Sequence, residues 1–136
     1  MTNKTQDGPC LKILDSSAII ALIFEESGHE IACDALSNAI MSSINYCEVI
    51  SILSQKIPLE EIKPILQKLI TKVIEFDEED AFLCGALHQK TREYGLSLGD
   101  RACISLGEKL NVPVYTADRI WEKVQKYTKT PIIIIR

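Results

Sequence analysis

Nineteen acidic side chains are spread along 136 residues, and most read as members of solvated polar faces. Four are placed where chemistry is possible. Asp15 directly follows the apolar run Leu11–Leu14, and Asp118 follows the run Val112–Thr116 after one alanine. Both runs are strand-sized, and in open α/β sheets ligands bind in the crevice outside the carboxyl ends of the strands. Glu48 lies four residues from Ile44 and four from Ile52, so on a helix it shares their apolar stripe. Asp100 precedes Cys103 by three residues and Gly107 by seven, on the side that leads to Leu110. A carboxylate on an inward face is costly unless it is paired or binds a metal. Each acid also has a separate structural explanation. Asp15 and Asp118 are good cap or turn residues, Asp100 completes a Ser97-x-x-Asp100 capping box, and Glu48 can snorkel to the edge of its face. One metal pocket accounts for all four at once.

The elements that must carry these residues follow from apolar spacing and its punctuation. Leu11–Leu14 is a strand that stops at Asp15, Ser16 and Ser17, three good helix N-cap residues, and a helix follows over Ala18–Glu25. A second helix runs from Gly28 to Asn38. Ala39–Ser42 is the next short run, and Ser42-Ser43 caps a helix over Ile44–Lys56. Pro58 and Pro64 each fit a helix first turn better than an interior, which places a helix over Pro64–Lys72. Val73–Phe76 reads as a strand. Asp77 then caps a helix to Tyr94 whose stripe is Ala81, Cys84, Leu87, Thr91 and Tyr94, with Gly95 at C′. Ser97 caps a helix to Asn111, Val112–Thr116 is a strand, Arg119–Tyr127 a short helix, and Ile132–Ile135 a last strand. Strands separated by helices need crossover connections. The expected fold is therefore α/β, a three-layer α/β/α sandwich around a central, mainly parallel sheet.

Composition sets the outer limits. A 15.2 kDa chain has room for one ordinary core. Residues 1–9 are polar, carry Gly8-Pro9 and are expected to form a disordered lead-in; residues 10–136 are expected to be one domain. With 46% hydrophobic and 25% charged residues, the chain falls outside the disordered class. Its longest apolar runs, Ala18–Phe24 and Ile132–Ile135, fall short of the roughly 20 residues of a bilayer span. The start, MTNKTQDGPC, lacks the apolar stretch of a secretory signal, so a cytoplasmic location with no membrane is expected. Cysteines at 10, 33, 47, 84 and 103 form no C-x-x-C pair. Cys47, Cys84 and Cys103 lie in apolar helical patterns and read as small buried hydrophobes. A net charge of -4 argues against a protein that coats nucleic acid through excess Lys and Arg. It leaves open a nucleic-acid enzyme whose negative charge is gathered at one metal site.

Four stretches carry a family likeness: LKILDSSAIIAL at 11–22, YCEV at 46–49, LSLGDRACISLGEKL at 96–110 and VYTADRIWEKV at 114–124. Together, from Leu11 to Ile135, they resemble a PIN-domain ribonuclease, specifically the VapC-like toxin of a toxin–antitoxin pair. The resemblance puts the family's acids on Asp15, Glu48, Asp100 and Asp118, as catalytic and metal-binding residues, with Ser16 and Thr116 as supporting hydroxyls. Arg101 departs from the pattern, which has a small apolar residue after the third acid.

The ligand set is then all oxygen. His29 and His88 lie in unrelated segments, and no cysteine stands near an acid at a zinc spacing. Carboxylates with hydroxyl and water ligands suit Mg²⁺ or Mn²⁺. Without these four acids the chain is formally neutral. The resemblance implies hydrolysis of an RNA substrate by metal-activated water, leaving a 5′-phosphate. Arg101 and Arg119, each beside an acid, are candidates to hold the substrate phosphate; a solvated surface role is the other reading. It also implies a small antitoxin protein as partner and a homodimer, with Phe24, Phe82 and Trp121 as spare apolar residues. Other classes fit less well. A haloacid-dehalogenase phosphatase needs a D-x-D that Ser17 interrupts, and a response-regulator receiver needs an acid pair after the first strand. A housekeeping PIN-type RNA-processing nuclease and a non-catalytic α/β binding module stay as alternatives.

Overall fold

The computed structural model describes residues 10–136; the lead-in expected over 1–9 lies outside the described residues. Five strands form one sheet: β1 (Lys12–Leu14), β2 (Ala39–Ser42), β3 (Lys72–Ile74), β4 (Val114–Thr116) and β5 (Ile132–Ile134). Their spatial order is β3-β2-β1-β4-β5, and every pairing is parallel. The chain builds outward from β1 to β3, then crosses back to β4 on the other side of β1. That reversal makes the gap between β1 and β4 the topological switch point of the sheet, where a ligand crevice opens at the carboxyl edge.

Among the described residues there are six α-helices: α1 (Ser16–Ile23), α2 (His29–Asp34), α3 (Ser43–Leu53), α4 (Leu59–Leu69), α5 (Glu78–Thr91) and α6 (Leu98–Leu110). Two 3₁₀ stretches, Arg92–Tyr94 and Arg119–Tyr127, complete the set. Alternate strand residues feed two cores, as the two-residue period of a strand requires. Leu14 and Met41 pack with Ala18, Ile19, Val49, Leu53, Ile62 and Leu66 on the α1–α4 side. Ile13, Ile40 and Val114 pack with Cys103, Ile104, Leu106, Trp121 and Val124 on the α6 side. The α/β/α sandwich expected from the sequence is the fold observed, and its sheet is parallel throughout. No helix among the described residues is long and apolar enough to cross a membrane.

Several expectations need correction. The fourth helix starts at Leu59 behind Pro58 as N-cap, so Pro64 lies inside it. An interior proline costs about 3 kcal/mol. Ile62 and Leu66 are fully buried, each side chain stabilising by about 1.5–3 kcal/mol, and their packing holds the turn helical. On α5 the buried position one turn before Cys84 is Asp80, whereas Ala81 is exposed; Asp80 is fixed there by its capping box with Asp77 and by Lys109. Cys47 is exposed, because α3 buries Asn45, Val49 and Leu53, and Cys47 is turned about 200° from Asn45. Trp121 is completely buried and is no spare surface residue. Arg119–Tyr127 is 3₁₀ rather than α-helical.

Candidate active site

Asp15 ends β1 and caps α1. Its Oδ1 accepts from the Ala18 N–H at 2.9 Å and from Ser17 Oγ at 2.8 Å, while Oδ2 accepts from Thr116 Oγ1 at 2.6 Å. Ser17 Oγ in turn accepts from the Ala117 N–H at 2.9 Å, and Thr116 Oγ1 accepts from the Asp118 N–H at 3.1 Å. A short network thus sews the carboxyl ends of β1 and β4 together across the switch point. Asp118 caps the following 3₁₀ stretch through Oδ1, which accepts from the Ile120 N–H at 3.0 Å. Asp100 completes the capping box of α6: its Oδ2 accepts from the Ser97 N–H at 2.9 Å. Glu48 is held through Oε1, which accepts from Ser16 Oγ at 2.5 Å and from Asn45 Nδ2 at 3.0 Å.

All four carboxylates line one cavity of about 560 Å³, together with Ser16, Ser17, Asn45 and Arg136. The cap bonds and the chemistry coexist in the same side chains. In Glu48, Asp100 and Asp118 one carboxylate oxygen is committed to local structure, and the other has no hydrogen bond among the described residues. Burial pushes the Asp15 carboxyl up to about 6, against the three hydrogen bonds that favour its charge, and the Asp100 charge adds to the rise. Burial also raises Asp100, with the Asp118 and Glu48 charges adding to it. The groups are therefore close enough to repel one another. They still stand apart: among the described residues no three acid, imidazole or thiol groups are close enough to hold an ion.

The donor set suits a hard divalent cation. Carboxylates, hydroxyls and the buried Asn45 amide supply oxygen, and Asn45 Oδ1 has no partner among the described residues. Burial and the surrounding carboxylates push the nearby Cys103 thiol well up, and Cys103 does not line the cavity.

Two residues escaped the sequence reading. Asn45 Nδ2 reaches Glu48, Ser16 Oγ at 3.4 Å and the Gly99 carbonyl at 3.0 Å, tying α1, α3 and α6 around the site. Its spacing of three before Glu48 was the available signal. Arg136 follows β5 and faces the cavity, pairing with Glu26 at 3.7 Å. Arg101 and Arg119 do not line the cavity. Arg101 donates from Nη1 to the Cys84 carbonyl at 3.0 Å, so its guanidinium is turned to α5, and Arg119 is exposed beside its capping aspartate.

Comparison with known proteins agrees with this arrangement. The PIN domain family model matches residues 12–127. A VapC ribonuclease of Mycobacterium bovis, Mb2780c, is 33% identical over 100 residues, covering 71% of this chain and 76% of that protein. Ribonuclease VapC42 of Mycobacterium tuberculosis matches with the same identity and coverage. Among solved structures, a toxin–antitoxin complex from Klebsiella pneumoniae superposes with a TM-score of 0.71 at 16% identity, over 92% of this chain and 98% of that one. DNA-bound VapBC from Salmonella typhimurium gives 0.70 at 16% identity, over 93% and 98%. VapC20 of M. tuberculosis, described as a sarcin–ricin-loop-cleaving toxin, gives 0.68 at 15% identity, over 83% and 94%. With the family's domain matched across four of the five strands and the carboxylates gathered at the switch point, the chain belongs to the PIN-domain family, alongside the VapC ribonucleases.

Proposed function

We propose that residues 10–136 form one nuclease domain, a divalent-metal-dependent endoribonuclease that is the toxin of a toxin–antitoxin pair. The observation that carries this reading is the convergence of four carboxylates from four separate elements on one cavity at the switch point. Mg²⁺ or Mn²⁺ is the expected ion; Asp15 and Asp118 would hold it, with Glu48 and Asp100 as further ligands or as groups that orient water, once the free oxygens of Glu48, Asp100 and Asp118 turn inward from their present spacing. A bound divalent ion supplies positive charge to the scissile phosphate and acidifies the attacking water.

The chain's own residues do the rest. Thr116, Ser17 and the Ala18 N–H fix Asp15 in one orientation, and Asn45 with Ser16 does the same for Glu48. The free oxygens of Glu48 and Asp100 would orient the attacking water and accept its proton. Attack on phosphorus in line, opposite the leaving 3′ oxygen, gives 5′-phosphate and 3′-hydroxyl ends. Four carboxylates without an ion repel a phosphodiester, so cleavage and substrate approach depend on the same cation. RNA incubated with Mg²⁺ or Mn²⁺ should be cut to 5′-phosphorylated fragments and left whole in chelator; cleavage that survives chelation overturns the reading. A small antitoxin is the expected partner, its C-terminal segment covering the acid cavity with an Arg reaching the carboxylates. Native purification should recover such a protein in near-equal amount. Native protein obtained alone, from cells that tolerate it, would point to housekeeping RNA processing.

A further inference from the structure

Among the described residues that line the cavity, Arg136 is the one cation. It stands against four carboxylates and is neutralised by Glu26, at 3.7 Å, with both side chains about two-fifths exposed, 39% and 43%. An ion pair that open to solvent is weak, so a stronger anion can take the place of Glu26 at little cost.

The pair is nonetheless built into the fold. Glu26 sits in a tight turn whose backbone N–H donates to the Ala21 carbonyl at 2.8 Å and whose carbonyl accepts from the His29 N–H at 3.0 Å. Two residues on, Gly28 adopts φ +93°, and a Cβ there would collide with the Ile135 carbonyl. Only glycine lets that turn lie against the end of the last strand. The turn carrying Glu26 and the strand end carrying Arg136 are thereby held face to face at the wall of the acid cavity.

We infer that Arg136 is the phosphate-binding residue of this nuclease, gripping a phosphate of single-stranded RNA that flanks the scissile one, and that Glu26 occupies it until RNA arrives. The inference rests on the nuclease reading above. A guanidinium matches the bidentate geometry of a phosphate, whereas the carboxylates and their ion take the scissile group. Glu26 then acts as an internal competitor that RNA must displace.

The test is cleavage of a mixed-sequence pool of single-stranded oligoribonucleotides in Mn²⁺, with KM, kcat and salt dependence for wild type, Arg136→Gln, Arg136→Lys and Glu26→Gln. Arg136→Gln should raise KM on the order of tenfold, equivalent to 1.4 kcal/mol, with kcat within about twofold. Its plot of log affinity against log salt should flatten by about 0.7, one single-strand phosphate contact. Arg136→Lys should recover part of the loss, and Glu26→Gln should lower KM by about two- to threefold. A merely structural pair moves KM the same way in both neutral variants and leaves the salt slope alone; either result overturns the inference. Wild type that fails to cut the pool overturns the nuclease reading instead, whereas wild type that cuts while Arg136→Gln keeps its KM and salt slope overturns the phosphate role alone.

Discussion

Asp15 is an N-cap, a bridge between two strands and a buried acid at the same time, and the last of these leaves a measurable signature. Its carboxyl titrates near 6 in the folded chain and at 3.8 ordinarily. The folded state therefore binds the proton more tightly, so the associated stability is complete below about pH 3.8 and is lost as pH rises through about 6. In chelator, the stability of wild type minus that of Asp15→Asn should fall by on the order of 2–3 kcal/mol between pH 4 and pH 7. A flat difference across that window would show an ordinary surface carboxylate. Asp100 offers a second test. Asparagine keeps an oxygen for the Ser97 N–H and removes a charge that adds to the rise burial gives Asp15, so Asp100→Asn in chelator should melt no lower than wild type. It should also abolish RNA cleavage and shrink the stabilisation that Mn²⁺ provides. A variant that is clearly less stable in chelator yet still cuts RNA would reduce Asp100 to a cap. These acids were legible because each ends or faces a recognisable element. Arg136 was not, because nothing in its neighbours reports that β5 lies beside β4 and ends against the cavity; an isolated cation at the carboxyl end of a strand was the only hint.

Helices bring the site together through their small residues as much as their acids. At Gly99, in the first turn of α6, a Cβ would overlap the Glu48 carboxylate of α3. Gly99→Ala should therefore push Glu48 out of place, lowering Mn²⁺ affinity and cleavage by about 10- to 100-fold, the usual effect of disturbing groups that orient ligands. Circular dichroism should show no loss of helix, since alanine is the better helix former by about 0.8–1 kcal/mol. Full activity in this variant would mean that Glu48 is free to move. Asn45→Ala should act in the same direction by releasing Glu48 and the Gly99 carbonyl together. At this scale the sequence was most readable where side chains cap. The Asp77 cap, the Ser97 box and the left-handed Gly95 stand as expected; the structure adds Asp80 to the Asp77 cap and ends α6 on a left-handed Asn111. The sequence was least readable where packing overrides local preference, as at Pro64, or where a face had to be chosen for Cys47.

At the scale of the whole molecule, exposed apolar side chains remain to be accounted for. Phe82 is 76% exposed on α5 and Leu98 52% exposed at the start of α6. A homodimer is the expected state, and light scattering at micromolar concentration should return twice the chain mass; Phe82→Glu should weaken that association if this face forms it. A monomeric wild type removes the expectation. The strand order was not readable from composition or spacing, since apolar runs of three or four residues do not say which neighbour they choose. Nor does any one run report that the order reverses at β1. That same strand order has a consequence for synthesis. Asp15 and its hydrogen-bond partner Thr116 are separated by 101 positions in the chain. At about 5–20 residues per second, a translating ribosome adds Thr116 roughly 5–20 s after Asp15. Until then β1 lacks one of its two neighbours and the carboxylates have no common wall, so an unfinished chain has no cutting edge to turn on the messenger or the ribosome that is making it.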